Sequence, residues 1–547
     1  MAGCFQQMSK SPTIRIAQNM PAMKQFAGIL ALGFLAILVG GALLALAIET
    51  SGFDMDVYFD AYLIRIAKFT VLQAAASALL SVLFAIPVAR ALYSEANFPG
   101  RGLILRLFAL PLALPALVTV LGITSIYGRN GFIAQISQAT AYPLAPDIYG
   151  ITGILIAHVF FNMPLAVRLI LAAYESIPAD YWKISAQLGM GGTARFRLIE
   201  WPVIRRNLPG VIGLIFMLCV TSFTTVLTLG GGPRATTLEV AIYQSLHFDF
   251  DPARAVALTF AQLALTLIIL FALRLTGRPS EEGFTLSNTL RHYDKPSMPE
   301  RFFNVTAIAI GFLYVALPVS GVIISGLAAD FMRLLSERTV WRAISTSIAL
   351  GFSAAVLSTI LSLTLVIARE TTRNARLSSL FDTGSSLILV MPPIVLGAGW
   401  FILLRNFTNP FMMAPFMVVI VNAAMAMPFA VRLLRPAWDT SAARHNKLCA
   451  QLGITGFSRL RLIDWPAIRR PFAMAFAFAM ALSLGDLGTI ALFGSDALLT
   501  LPYLLFQRMG SYRTFDAAGL ALILGILCLC LMMLAERAAS QKETPLS

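Results

Sequence analysis

The chain is 547 residues long, 58% hydrophobic and only 12% charged, with a mean hydropathy of +0.78. A soluble domain carries about a quarter charged residues, so the composition excludes an ordinary soluble protein and indicates a polytopic membrane protein. The net charge of +14 does not indicate nucleic acid; the basic residues stand between apolar runs, as in cytoplasmic loops of membrane proteins, rather than along one stripe.

In chain order, Lys10, Arg15 and Lys24 precede the first apolar run, 26–48. It is too long for a cleaved leader and long enough to span a bilayer. Cys4 follows Ala-Gly but no apolar segment, which excludes a lipoprotein site. Further runs fall at 66–92, 103–127, 148–173, 208–229 and 254–276. A second set falls at 303–328, 341–368, 385–405, 411–434, 471–494 and 516–535. The expectation is an all-α integral membrane protein of about twelve transmembrane helices in two sets of six. Pro111 with Pro115, and Pro392 with Pro393, mark broken or bent helices.

The basic stretches 175–207 and 435–470 carry most of the loop arginines and are placed in the cytoplasm. Twelve spans then put both termini inside, with the acidic loop 49–60 outside. The expected division is a first half, 1–276, a polar cytoplasmic linker, 277–302, and a second half, 303–547.

The halves repeat. AQLGMGGTARFRLIEWPVIRR at 186–206 returns at 450–470 as AQLGITGFSRLRLIDWPAIRR, and MPLAVRL at 163–169 returns as MPFAVRL at 427–433. Both pairs share an offset of 264 residues. An even number of helices separates the copies, so this is a direct repeat. Within it, YWKISAQLG (181–189) can form a short helix that Gly189 ends. Pro202 stands where the next helix begins, a place that tolerates proline. Gly453 and Pro466 repeat the pattern. Two such helix–glycine–helix elements suit docking into matching grooves of a twofold partner.

This spacing resembles the EAA loop of ABC importer permeases, whose short coupling helix sits in a cleft of the ATPase subunit. Gly189, Ile199 and Pro202 match that pattern, as do Gly453, Ile463 and Pro466. Lys183 and Lys447 stand at the family's glutamate position, and Trp201 and Trp465 at its leucine position. The resemblance implies a type I ABC importer permease fold, docking onto a dimer of a separate ATPase. The chain has no Gly-Lys pair and hence no Walker A loop, so ATP and its magnesium would belong to that partner, with no cofactor on this chain. The strings IYGRNGF (126–132), GGGPRATTLEVAIYQSL (230–246), FDPARA (250–255), SLGDLGTIALFG (483–494) and QRMGSYRTFDAAG (507–519) further resemble the permease of the bacterial thiamine importer. That branch implies import of thiamine and its phosphates across the bacterial inner membrane, with a periplasmic substrate-binding protein as second partner. Ferric-iron permeases, with the same fused layout, are the alternative cargo class. An ion-coupled secondary transporter is a rival from another class, but it leaves the two matched elements without a role.

Candidate pathway residues are few. Asp486 lies in the eleventh run, where a carboxylate either faces a cationic substrate or is satisfied by neighbouring amides. Thr224, within the polar run 221–225, and Gly231, within glycines 230–232, thin out the fifth run; they serve either packing or the pathway. His158 and Asn162, one turn apart beside Pro164, read as a structural pair. Tyr243, Phe248, Asp249, Phe250 and Asp251 fit either a partner contact or an interfacial belt. The four histidines are scattered, no metal-ligand spacing occurs, and the five cysteines make no disulfide framework. No catalytic constellation points to an enzyme.

Overall fold

A computed structural model describes residues 12–49, 60–140, 147–232, 235–275, 297–372, 374–388 and 391–540, and among them every regular element is helical. Apolar runs of this length form helices because a helix satisfies its own backbone where no water can. In chain order the principal helices are α1 (Pro12–Glu49), α2 (Ala61–Ser94), α3 (Ala116–Tyr127), α4 (Ile151–Glu175), α5 (Ala179–Gln187) and α6 (Trp201–Val220). Then come α7 (Phe223–Leu229), α8 (Leu238–His247), α9 (Pro252–Leu275), α10 (Met298–Leu327), α11 (Arg338–Thr371) and α12 (Pro393–Arg405). The last are α13 (Pro410–Gln451), α14 (Trp465–Gly485), α15 (Gly488–Phe493), α16 (Leu501–Gly510) and α17 (Thr514–Ser540).

Ten helices among the described residues are long and apolar enough to cross a membrane, or eleven if one bent pair counts as a span. The chain is therefore a multi-pass membrane protein, although the expected count was twelve. The difference lies at the ninth run, 385–405, where α12 starts only at Pro393 and is too short to be counted. Pro392 and Pro393 exclude a longer helix. The third run is the bent pair, turning by 115° between Ala113 and Ala116. There Pro115 holds an extended ψ of 143° and removes the amide that would have continued the helix. The fifth and eleventh runs each break in mid-course, between α6 and α7 and between α14 and α15. Most of the expected linker, 277–302, lies outside the described residues, and α10 already begins at Met298.

Two compact units form, and they do not follow chain order. One comprises Met1–Gly52, Leu335–Leu504 and Ile526–Ser547, and the other Phe53–Leu334 and Leu505–Gly525. The first helix of each expected half is thus packed within the unit built mainly from the other half. In the first unit the Trp400 indole, on α12, donates to the Leu38 carbonyl of α1 at 2.8 Å, and Gly41 leaves the room that ring needs. In the second, a Cβ on Gly122 of α3 would overlap the Pro318 carbonyl of α10. Small residues let the backbones approach in both places.

Candidate functional site

Each unit carries one of the two repeated strings. In the second unit α4 ends at Glu175, and the chain breaks over 176–178 before α5 begins. Pro178 causes the break: it caps α5 with ψ 139° and bars its predecessor from helical geometry. After nine residues α5 is closed by Gly189 at φ +59°. The Gly189 amide donates to the Ala186 carbonyl and the Met190 amide to the Ser185 carbonyl, both at 3.1 Å. That pair of bonds is a Schellman stop, which needs a left-handed residue. No atom lies within 4 Å of a Cβ placed there, so conformation rather than space calls for glycine. One short turn, Gly192–Arg195, leads through a π-helical turn, Phe196–Glu200, into α6.

The first unit repeats the geometry. Gly453 has φ +64°, the Ile454 amide donates to the Cys449 carbonyl at 3.0 Å, and a π-helical turn, Leu460–Asp464, leads into α14. Here the short helix is not separate, because Ala442 stands where Pro178 stood and α13 runs unbroken to Gln451.

Most of the residues named from sequence fall together at these two turns. Trp201 with Pro202, and Trp465 with Pro466, are the first two residues of α6 and α14. Ile199 and Ile463 are half-buried in the π-helical turns. Lys183 and Lys447 are exposed, and Lys183 pairs with Asp180 one turn earlier at 2.9 Å. Sequence reasoning passed over the residues that make a surface. Ile184, Leu188 and Leu198 are exposed together, and Leu448, Leu452 and Leu462 repeat them. Their signal was legible as apolar positions kept in both copies.

It also passed over what holds the loops. Beneath the first, the Arg90 Nε donates to Glu200 Oε2 at 2.9 Å, and the Tyr174 hydroxyl donates to the same oxygen at 3.0 Å. Tyr93 stacks on Tyr174 at 4.8 Å and meets the Trp182 ring at 5.5 Å. Arg90 and Arg195 both reach Glu300, at 3.1 and 3.3 Å. Beneath the second, Arg459 meets Asp464 at 3.3 Å and donates to Asn446, which donates to Glu370 at 2.9 Å. Arg369 and Arg435 share Asp382 and Asp439. Only Glu200 and Asp464 could have been noticed, as the acid kept before Trp-Pro in both strings.

The pathway candidates sit apart from the loops, at or beyond the helix breaks. Asp486 accepts from the Gly488 and Thr489 amides at 3.0 and 3.2 Å, so it caps α15. Asn422 bridges Ser483 and Thr489 beside it. At the other break His158 lies between Ser77 and Ser222, at 3.0 and 2.9 Å, while the Gln73 amide covers the Cys219 carbonyl at 3.1 Å. Asn162 donates to the His158 carbonyl at 2.8 Å, a structural pairing. Thr224 is half-buried on α7; Gly231 is left-handed at φ +68°, with Tyr149 close by.

At the start of α2, Asp60 pairs with Arg254 of α9 at 3.2 Å. The other end of α2 carries Tyr93 and Arg90, so a rod of 34 residues, about 50 Å, separates this corner from the first loop. The corner's tip holds Phe250 at φ +52° and 81% exposed, and Tyr512, before α17, holds φ +59° and 91% exposure. Aromatic residues rarely adopt that conformation. Tyr243 is instead buried, stacked on His247 at 5.1 Å.

No protein-family model matches the chain. It is 77% identical over 538 residues to the thiamine transport system permease protein ThiP of Brucella abortus (strain 2308), covering 98% of this chain and 99% of that one. It is 43% identical over 485 residues to the Escherichia coli (strain K12) protein of the same name, covering 88% and 90%. The Haemophilus influenzae protein of that name is 37% identical over 512 residues, covering 92% and 94%.

Proposed function

The chain belongs to the thiamine transport system permease family, and on that premise we propose that it is the membrane permease of an ATP-driven importer of thiamine and its phosphates. It sits in the bacterial inner membrane with both termini in the cytoplasm, and it works by alternating access. A separate ATPase dimer docks on the two loops, 175–207 and 435–470, and supplies the ATP and magnesium; the chain itself binds no cofactor.

One observation carries the coupling reading: two left-handed glycine turns at the same register each present three exposed apolar side chains beside a basic surface. Within each element, Gly189 and Gly453 set the turn; Trp201–Pro202 and Trp465–Pro466 start the helix that receives the movement. Lys183 and Lys447 lie on the docking helix. Lys183 pairs with Asp180 on the exposed side of its own helix, a kind of pair that contributes little, so the exposed apolar side chains make the joint.

A periplasmic substrate-binding protein delivers the cargo at the opposite end of α2, where the Phe250 tip stands. Within each unit the mid-helix break marks the path, with Asp486 at one break and Thr224 and Gly231 at or beyond the other. Polar side chains satisfy the interrupted backbone there, which lets the helices be discontinuous inside a membrane.

The test is uptake of labelled thiamine, and separately of ferric iron, by cells with and without the gene. Loss of thiamine uptake alone is expected. Loss of iron uptake alone would overturn the cargo, and uptake that continues after ATP depletion would overturn the energy source.

A further inference from the structure

We propose that Glu300 is the positioning residue of the first coupling loop, lent to it by the opening turn of α10, and that the second loop has no such partner among the described residues. The inference rests on the coupling-loop reading above.

Glu300 is the third residue of α10 and belongs by sequence to the second half. Its carboxylate accepts from Arg90 at 3.1 Å and from Arg195 at 3.4 and 3.3 Å. Arg90 also donates to the Gly192 carbonyl at 3.2 Å, and its guanidinium lies 5.2 Å from the Phe196 ring centre. The loop backbone rests against the acid itself, because a Cβ on Gly192 would overlap the Glu300 carboxylate. One turn further along α10, Asn304 donates to Glu95 just past the end of α2, at 3.4 Å. The first turns of α10 thus grip both the loop and the rod that carries Arg90.

Charge makes Glu300 necessary rather than incidental. Arg90 and Arg195 are mostly buried, their side chains 18% and 13% exposed. Glu200 answers one of these charges, and Glu300 joins both. Without Glu300, two partly desolvated guanidinium groups would face each other with one carboxylate between them.

The second loop is held differently. Arg459, at the register of Arg195, meets Asp464 and Asn446, both from its own half. The helix that packs on α11, as α10 packs on α2, is α1, through the bond from Gln25 to the Thr371 carbonyl at 3.2 Å. The chain has no Asp or Glu before Glu49, so the loop-facing part of α1 has no carboxylate to lend. Movement of α10 therefore reaches the first loop directly through an ion pair, whereas among the described residues the second loop is held by Asp464 and Asn446 of its own half.

The test is photocrosslinking in the assembled transporter, with a benzophenone amino acid at Leu188 or at Leu452, two exposed sites at matching places in the loops. Unaltered protein is expected to crosslink to the ATPase from both. In Glu300→Gln the Leu188 crosslink should fall about tenfold while the Leu452 crosslink holds, and uptake per ATP hydrolysed should fall with it. Glu300→Asp, which keeps the charge on a shorter arm, should lie between. Arg301→Ala, an exposed position on the same helix, should leave both crosslinks in place, and a loss there would overturn the assignment to Glu300. Two unchanged crosslinks in Glu300→Gln would overturn the proposal, as would an equal fall of both, which would mark a general structural role. Absence of both crosslinks in the unaltered protein would instead sink the coupling-loop reading itself.

Discussion

The two repeated loops present the same surface on different foundations. Both end a helix with a left-handed glycine, both pass through a π-helical turn, and both expose apolar residues at matching positions. Underneath, the first rests on stacked Tyr93, Tyr174 and Trp182 and on the Arg90–Glu200 pair, with its short helix cut free by Pro178. The second continues an unbroken 42-residue helix and rests on a polar net from Glu370 through Asn446 and Arg459 to Asp464. The exposed surface is repeated; how it is supported is not. The repeat therefore fixes a surface, while each half solves its own packing.

The largest effect should come from the acid both loops share. Glu200→Ala leaves Arg90 mostly buried without its closest carboxylate and Tyr174 without an acceptor, which costs about 3–5 kcal/mol by the measure of broken buried pairs. Asp464→Ala should cost less, because Arg459 keeps Asn446. Thermal unfolding of the two purified variants would show it, and equal losses would mean that the foundations are alike after all.

Next comes the break itself. Ala442→Pro would impose the first loop's break on the second, removing a hydrogen bond inside α13 at a cost of about 3 kcal/mol. Pro178→Ala, where the chain is already extended, should change melting far less. If Ala442→Pro leaves melting and uptake intact, continuity of α13 has no function.

A third difference lies in the matched helices α8 and α16. The Leu238 amide of α8 donates to Thr70 at 3.0 Å, and the Leu501 amide of α16 to Ser347 at 2.8 Å. The next residue is Glu239 in one and Pro502 in the other. Glu239 is buried, neither carboxylate oxygen has a hydrogen-bond partner among the described residues, and burial pushes its pKa up to about 8 from 4.5. The folded state then holds a proton that the unfolded chain releases, so stability falls as pH rises from about 4.5 to about 8 and is level beyond. Glu239→Gln should match the parent's melting at pH 4 and exceed it by a margin that widens steadily as the pH approaches 8. A difference that does not grow with pH would show that the carboxyl is not buried in the working protein.

Much of this was legible in the chain. The glycine stops were, because a left-handed turn after a short amphipathic helix leaves few other choices. So was the bend at Pro115, and so were most spans, since a bilayer demands long uncharged runs. Asp486 was readable only as two alternatives, and the amides of Gly488 and Thr489 favour the cap. The supports were not legible. Arg90 meets Glu300 across 210 residues, and nothing local marks either as the other's partner. Nor does any local pattern show that α1 and α10 change places between units, because an apolar helix face fits many neighbours. The ninth run misled because hydropathy averages over Pro392 and Pro393, whereas the backbone cannot.

The smallest expected effect tests the part that should be equal. Gly189→Ala and Gly453→Ala each put a Cβ on a left-handed residue, at φ +59° and +64°, with open space around both. Only backbone strain is added, about 1 kcal/mol, and it should be the same in either loop whatever lies beneath. Asparagine, which tolerates that conformation, should cost less at both sites. Melting of the four single variants would decide the matter. If the two alanines differ by more than their error, the foundations reach up into the turns, and the loops are not an independent, repeated surface. If they agree while uptake falls in both, the turn conformation itself, and not local stability, is what the ATPase reads.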